Sequence, residues 1–247
     1  MKYNSLLLFV FLGFSTISCS QSGPEFTTPE SVIEYFVQNI SVGNFDNAMK
    51  TSAYYYDHII NKISSREMAL YLNAILPSTQ FNAPDQYNTL LKSKALGQLA
   101  FQIQYLVSSL LLPEQFDETF FAFRPVRLSD NEHILDVYFT YLSDTRRLSS
   151  LEIIRMDISN PEFQLSDDYI RGSNRLRVVY GFDERVDYSV LYRLNNQYFI
   201  GGFVLFRYGN NWYVNEYYSI LQNKGPTGRL EKISGIEEYV NEINTRR

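Results

Sequence analysis

The chain has 247 residues, 45% of them hydrophobic, with 20 Tyr, 18 Phe, one Cys, 22 basic and 27 acidic residues and a net charge of −5. One cysteine excludes an internal disulfide framework, so packing must stabilise the fold. The acidic balance, without a basic cluster, argues against nucleic-acid binding and against polybasic attachment to anionic lipid.

The first nineteen residues read as an address. Met1-Lys2 gives a short positive start, Leu6 to Phe14 is an unbroken apolar run of nine residues, and Thr16-Ile17-Ser18-Cys19 closes it. This is the layout of a secretory signal. Nine residues rise only about 14 Å as a helix, and a bilayer core needs roughly 20 residues, so the run does not span. Thr-Ile-Ser-Cys resembles the bacterial lipobox. The resemblance implies that residues 1–18 are a signal peptide, that the thiol of Cys19 is alkylated with diacylglycerol, and that cleavage occurs before Cys19. Several acyl chains, at ~0.8 kcal/mol per buried CH₂, then hold the protein on a membrane surface. The expected location is the bacterial cell envelope. Ser20 carries no Asp-type inner-membrane retention signal, which favours the outer membrane of a diderm. The mature chain would keep 229 residues.

Residues 19–26 form a short lipidated tether containing Gly23 and Pro24. Thr28-Pro29-Glu30 is a helix start, with Thr as N-cap, Pro at the first position and an acid in the first turn. Val32, Ile33, Phe36, Val37 and Ile40 make its apolar stripe. Gly43 ends it, and Asn44 caps a second helix with Phe45, Ala48 and Met49 facing inward. A third helical stretch runs from about Ile59 to Leu76 and stops at Pro77. Asp85 to Leu112 reads as one long helix, with Leu91, Ala95, Leu99, Ile103, Leu106 and Leu110 at three- and four-residue spacing. Lys92, Lys94, Gln98, Gln102 and Gln104 argue against a membrane span there.

From Glu118 the period changes to two. Thr119–Leu128, His133–Leu142, Asn174–Phe182, Val186–Leu194, Gln197–Tyr208 and Trp212–Leu221 read as strands. Leu148–Ile170 reads either as a strand or as a short helix followed by a polar loop. Asn195-Asn196 and Gly209-Asn210-Asn211 can each turn a hairpin, giving an antiparallel meander. Ser234–Ile243 is a closing helix. Helices followed by strands predict an α+β fold: N-terminal helices, one of them long, packed on a curved, mostly antiparallel sheet of about six strands.

Thr28-Pro29-Glu30-Ser31-Val32-Ile33-Glu34-Tyr35-Phe36 and Gly43-Asn44-Phe45-Asp46-Asn47-Ala48 resemble the opening of cone-shaped α+β lipoproteins. These are related to nuclear transport factor two, ketosteroid isomerase and the polyketide cyclases. Phe203 to Val214, a strand, a Gly/Asn turn and an aromatic strand with Trp212, resembles the end of that domain. The resemblance implies one domain over residues 27–247, with a helical insertion at about 59–112.

Chemistry has few candidates. Cys19 is reserved for lipid. His58 and His133 lack metal-ligand spacing, and no Gly-rich phosphate loop follows a strand, so no metal or cofactor is expected. Gly201-Gly202 inside a strand marks a bulge or close packing. If Trp212 points inward, strict alternation sends Val214, Glu216, Tyr218 and Ile220 the same way. Tyr188 and Tyr192 would alternate likewise on the neighbouring strand. Tyr188, Tyr192, Trp212 and Glu216 are therefore the candidate ligand-binding residues on the concave sheet face. The competing reading makes this face plain core, with Glu216 at its rim meeting Arg193 or Arg207. Three functions follow. The first is a non-catalytic accessory or binding lipoprotein contacting an envelope partner. The second is a binder of a small apolar or sugar ligand. The third is an isomerase or dehydratase with Glu216 or His133 as base.

Overall fold

A computed structural model describes residues 23–73, 83–111, 144–218 and 228–245. Cys19, the signal peptide, the expected strands Thr119–Leu128 and His133–Leu142, His133 itself and Ile220 lie outside the described residues.

The predicted start of the first helix is built as its sequence demands. The Thr28 hydroxyl accepts from the Ser31 amide at 3.2 Å, Pro29 opens α1 (Pro29–Ser41), and Val32, Ile33, Phe36, Val37 and Ile40 are its buried stripe. Gly43 takes φ +71 at the turn, a conformation only glycine adopts cheaply. Asn44 then caps α2 (Phe45–Met49) through its side chain. A 3₁₀ turn over Ala53–Tyr55 leads into α3 (Asp57–Asn73). The long helix α4 spans Asp85–Leu111, and its C-terminal half buries Leu99, Ile103, Leu106, Val107, Leu110 and Leu111.

A second 3₁₀ turn (Thr145–Leu148) precedes β1 (Glu152–Ile158), α5 (Pro161–Gln164) and α6 (Asp167–Tyr180). The strand expected at Asn174–Phe182 is thus corrected to a helix. Leu176, Val178 and Tyr180 alternate as a strand would, but the ends decide the matter. Ser166 caps the Tyr169 amide, and Gly181 at φ +68 closes the helix with its N–H on the Arg177 carbonyl.

The meander follows as β2 (Glu184–Leu194), β3 (Gln197–Tyr208) and β4 (Asn211–Tyr218), and then come β5 (Glu231–Ile233) and α7 (Ile236–Thr245). The β2–β3 hairpin turns through Asn195 and Asn196, both at positive φ, as a right-handed two-strand twist requires. Sheet order is β1-β2-β3-β4, antiparallel throughout, and β5 pairs with Tyr198–Ile200 of β3. The fold is α+β.

Helices cover both faces of the sheet. On one face, α1 and the second half of α4 pack against Tyr188, Val190, Tyr192, Phe203, Leu205, Trp212, Val214 and Tyr217. There the Phe36 ring lies edge-on to Phe203 at 5.4 Å and stacks on Tyr217 at 5.9 Å. On the other face, α3 packs Ile59, Ile60 and Ile63 against Val204, Phe206, Tyr208 and Tyr213, while Tyr239 and Ile243 of α7 meet Leu191 and Ile200. Among the described residues no helix is long and apolar enough to cross a membrane.

The outer edge of β4 is closed by three separate segments. The Trp212 amide donates to the Phe26 carbonyl at 2.8 Å and the Val214 amide to the Thr51 carbonyl at 2.9 Å. The Tyr217 amide donates to Oε1 of Gln102, on α4, at 3.0 Å. An edge strand is a template for unwanted pairing, and these contacts occupy it.

Candidate functional site

The spacing of those three amides, 212, 214 and then 217, reveals a break in alternation. Leu205 pairs with Val214 but Val204 pairs with Glu216, leaving Asn215 as an extra residue on β4. A β-bulge of this kind turns every residue beyond it over. Trp212 and Val214 therefore face α1 and α4, Tyr217 rejoins them, and Glu216 and Tyr218 point to the opposite face. The shared face expected for Trp212, Val214, Glu216 and Tyr218 does not form.

The four candidate residues accordingly divide. Tyr188, Tyr192 and Trp212 are 7%, 1% and 6% exposed and belong to the packed core. The Tyr188 hydroxyl donates to Oε1 of Glu30 on α1, and burial, followed by that carboxylate, raises its pKa. The hydroxyls of Tyr192 and Tyr217 lie within each other's electrostatic reach, yet neither finds a well-directed partner. Gly201 makes room for the second of them: a Cβ there would stand 2.3 Å from the Tyr217 hydroxyl and 2.5 Å from Leu230 Cδ2. This is the close packing that the Gly201-Gly202 pair suggested.

Glu216 instead enters a cleft on the far face, with a volume of about 160 Å³. One face of α4 forms its floor: Leu91, Ala95 and Leu99 supply an apolar strip, and Lys94, Gln98 and Gln102 a polar one. These positions recur at three- and four-residue spacing, so they share one helical face. Tyr54 from the 3₁₀ turn, Glu67 from α3, Tyr180 from the end of α6, and Asn215 with Glu216 at the bulge complete the wall. Neither His58 nor any of Tyr188, Tyr192 and Trp212 lines it.

Among the described residues that line the cleft, acid outnumbers base. Burial raises the Glu216 carboxyl above its usual range; the Arg185 charge opposes this and Asp187 adds to it. Arg185 is itself held by Asp187 through hydrogen bonds of 2.9 and 2.8 Å, so it is not free to pair with Glu216. Burial, then Glu67, then Glu216 raise the Tyr180 hydroxyl. Tyr54 is raised by burial first, with Tyr180, Tyr208 and Glu67 adding to it. Glu67 accepts from the Tyr87 hydroxyl at 2.8 Å. Neither Arg193 nor Arg207 reaches Glu216: Arg193 pairs with Glu152 at 2.5 Å and Arg207 with Glu184 at 3.0 Å. Among the described residues no group of three acidic, His or Cys side chains is placed to hold a metal ion.

Sequence reasoning missed Glu67, Tyr54, Tyr180 and Asn215. It noted Lys94, Gln98 and Gln102 only as polar interruptions. Their i, i+4, i+8 spacing was the available signal, because three long polar side chains in line on a half-buried helix line either solvent or a cleft.

No family model matches the sequence, and no curated protein matches it. Among solved structures the chain is similar to a cystatin-like protein from Ruminococcus gnavus, with a TM-score of 0.49 and 13% identity over 90% of this chain. The match covers 44% of that chain, so this protein spans under half of its length.

Proposed function

We propose that this chain is a lipid-anchored protein of the bacterial cell envelope, in the outer membrane, and that its folded domain is a binding module working through the cleft at the β4 bulge. The observation that carries the binding role is Glu216, a half-buried carboxylate directed into a concave site and, among the described residues, without a paired cation. A carboxylate in that position costs stability unless something outside the fold satisfies it, and such groups mark sites of contact. The cleft is too small to enclose a drug-sized molecule, since such pockets run to roughly 300–1,000 Å³. It suits a small ligand or one side chain of an envelope partner. The anchoring role rests on Thr16-Ile17-Ser18-Cys19 and on Cys19 being the chain's single cysteine.

Both roles are open to test. The full chain, expressed in a diderm host fed radiolabelled palmitate, should carry label and float with outer-membrane vesicles. Cys19→Ala should carry none and leave the membrane fraction. Equal labelling and equal flotation of the two proteins would remove the anchor. The binding role predicts that Ala95→Trp, which fills the cleft from its floor, abolishes capture of whatever ligand or partner the wild-type protein retains. Unchanged capture would move the site elsewhere.

A further inference from the structure

The chemistry of the cleft narrows what enters it, given the binding role proposed above. Among the described residues that line it, two carboxylates, Glu67 and Glu216, stand against one lysine, Lys94, which is exposed. The balance of these charges is therefore negative. Among the described residues the Glu216 carboxylate accepts no hydrogen bond and joins no ion pair. Glu67 has one hydroxyl donor, Tyr87, and so keeps acceptor capacity to spare, as an ionised carboxylate offers about four lone-pair sites. The walls beside the carboxylates are phenol rings, Tyr54 and Tyr180, whose faces attract cations.

Gln102 supplies a second, independent observation. It is 1% exposed and lines the cleft. Its amide orientation is settled chemically: a backbone N–H, that of Tyr217, can only be met by Oε1, at 3.0 Å. The Nε2 amide is then left without an acceptor among the described residues. Gln102 forms part of the cleft wall, so this amide opens on the cleft. A ligand lone pair or a ligand-bound water would satisfy it.

Size and floor complete the specification. About 160 Å³ corresponds to roughly five water volumes, at ~30 Å³ each. The Leu91–Ala95–Leu99 strip offers an apolar bed for a short alkyl chain.

We infer that the cleft is a binding site for a small organic cation, a primary ammonium group on a short alkyl stem, held by Glu216 and Glu67 between the rings of Tyr54 and Tyr180. The ammonium donates to the Glu216 carboxylate, Glu67 adds a second negative charge on the wall, and the stem lies on the floor of α4. A free alkylamine and the end of a lysine side chain on a partner peptide present this same chemistry.

The test is calorimetric titration of the full chain, purified in detergent, with n-butylamine, 1-butanol and butyrate. N-acetyl-lysine methylamide serves as the peptide arm. Butylamine should saturate one site at least tenfold more tightly than butanol, with butyrate silent. Glu216→Gln and Glu67→Gln should each weaken the amine at least tenfold while leaving the circular dichroism spectrum unchanged, and Ala95→Trp should abolish binding. A lysine arm tighter than butylamine assigns the source as a peptide; the reverse assigns a free amine. If butanol or butyrate binds as tightly as the amine and Ala95→Trp removes that binding, the cation assignment is overturned while the cleft remains a site. If no probe gives heat above dilution, both fall. Amine binding that survives both carboxylate substitutions also overturns the assignment.

Discussion

Replacing Gln102 by Leu tests the link between the long helix and the bulged strand. Leucine has nearly the shape of glutamine and keeps the helix propensity, so the substitution removes one hydrogen bond with little change in volume. That bond is the one from the Tyr217 amide at 3.0 Å, which points away from β3 toward α4. Gln102 is 1% exposed, so water cannot replace it easily. An orphaned buried donor costs about 1–3 kcal/mol. For a domain of this size each kcal/mol moves the melting temperature by roughly 2–4 °C, so the expected fall is about 4–8 °C at the middle of that range. Gln98→Leu, one turn away at the exposed rim, is the control and should stay within about 0.5 kcal/mol of wild type. Thermal unfolding followed by circular dichroism reads the stability. Native-state hydrogen exchange reads the amide itself, which should exchange at least tenfold faster in the variant. A Gln102→Leu protein that melts within 1 °C of wild type, with Tyr217 equally protected, would refute the idea that α4 secures β4 through this bond.

Three further outcomes can be checked. Gly201→Ala should lose about 1–3 kcal/mol by overpacking, because its methyl would meet the Tyr217 hydroxyl at 2.3 Å; Tyr217→Phe in the same chain should restore part of the loss in chemical denaturation. Glu216→Gln should be more stable than wild type at pH 7. Burial raises the folded pKa of Glu216 above the ordinary carboxyl value of 4.5, so the native state holds its proton longer than the unfolded chain does. Stability then falls as pH rises from about 4.5 through the folded value. The advantage of the Glu216→Gln protein should vanish below that window, and a constant advantage from pH 3 to 8 would contradict the burial argument. Phe36→Ala should cost about 3–5 kcal/mol, since that fully buried ring contacts both Phe203 and Tyr217. A loss under 1 kcal/mol, by the same denaturation assay, would show that α1 is not essential to the core.

Much of the fold was legible because its signals are local. Thr28-Pro29-Glu30 carries its own cap, the stripe from Val32 to Ile40 its own period, and Asn195-Asn196 its own turn. The α6 helix was misread because Leu176, Val178 and Tyr180 alternate over five residues, too short a stretch to separate period two from 3.6, while the helix is declared by Ser166 and Gly181 at its ends. The site was the least legible part. A one-residue bulge at Asn215 depends on how β4 registers against β3 and leaves almost no mark in the strand's own sequence, yet it reassigns Glu216 from one side of the sheet to the other. Asn215 itself was the hint, asparagine being poorly suited to the middle of a regular ladder. Glu67 and Tyr180 join the cleft from helices over a hundred residues apart in sequence, a distance that no periodicity can bridge.

The bond from Trp212 to the Phe26 carbonyl has a mechanical meaning for the anchored protein proposed above. Phe26 is itself buried and packs edge-on to Tyr35 at 5.2 Å, and Gly23 already lies against the Tyr56 ring. The four steps from Cys19 to Gly23 would reach at most roughly 14 Å when fully stretched. In the proposed anchored protein such a leash would keep the domain close to the lipid headgroups. Any pull on it would load the sheet at β4 first, so that tension at the membrane and the shape of the Glu216 cleft would share a strand.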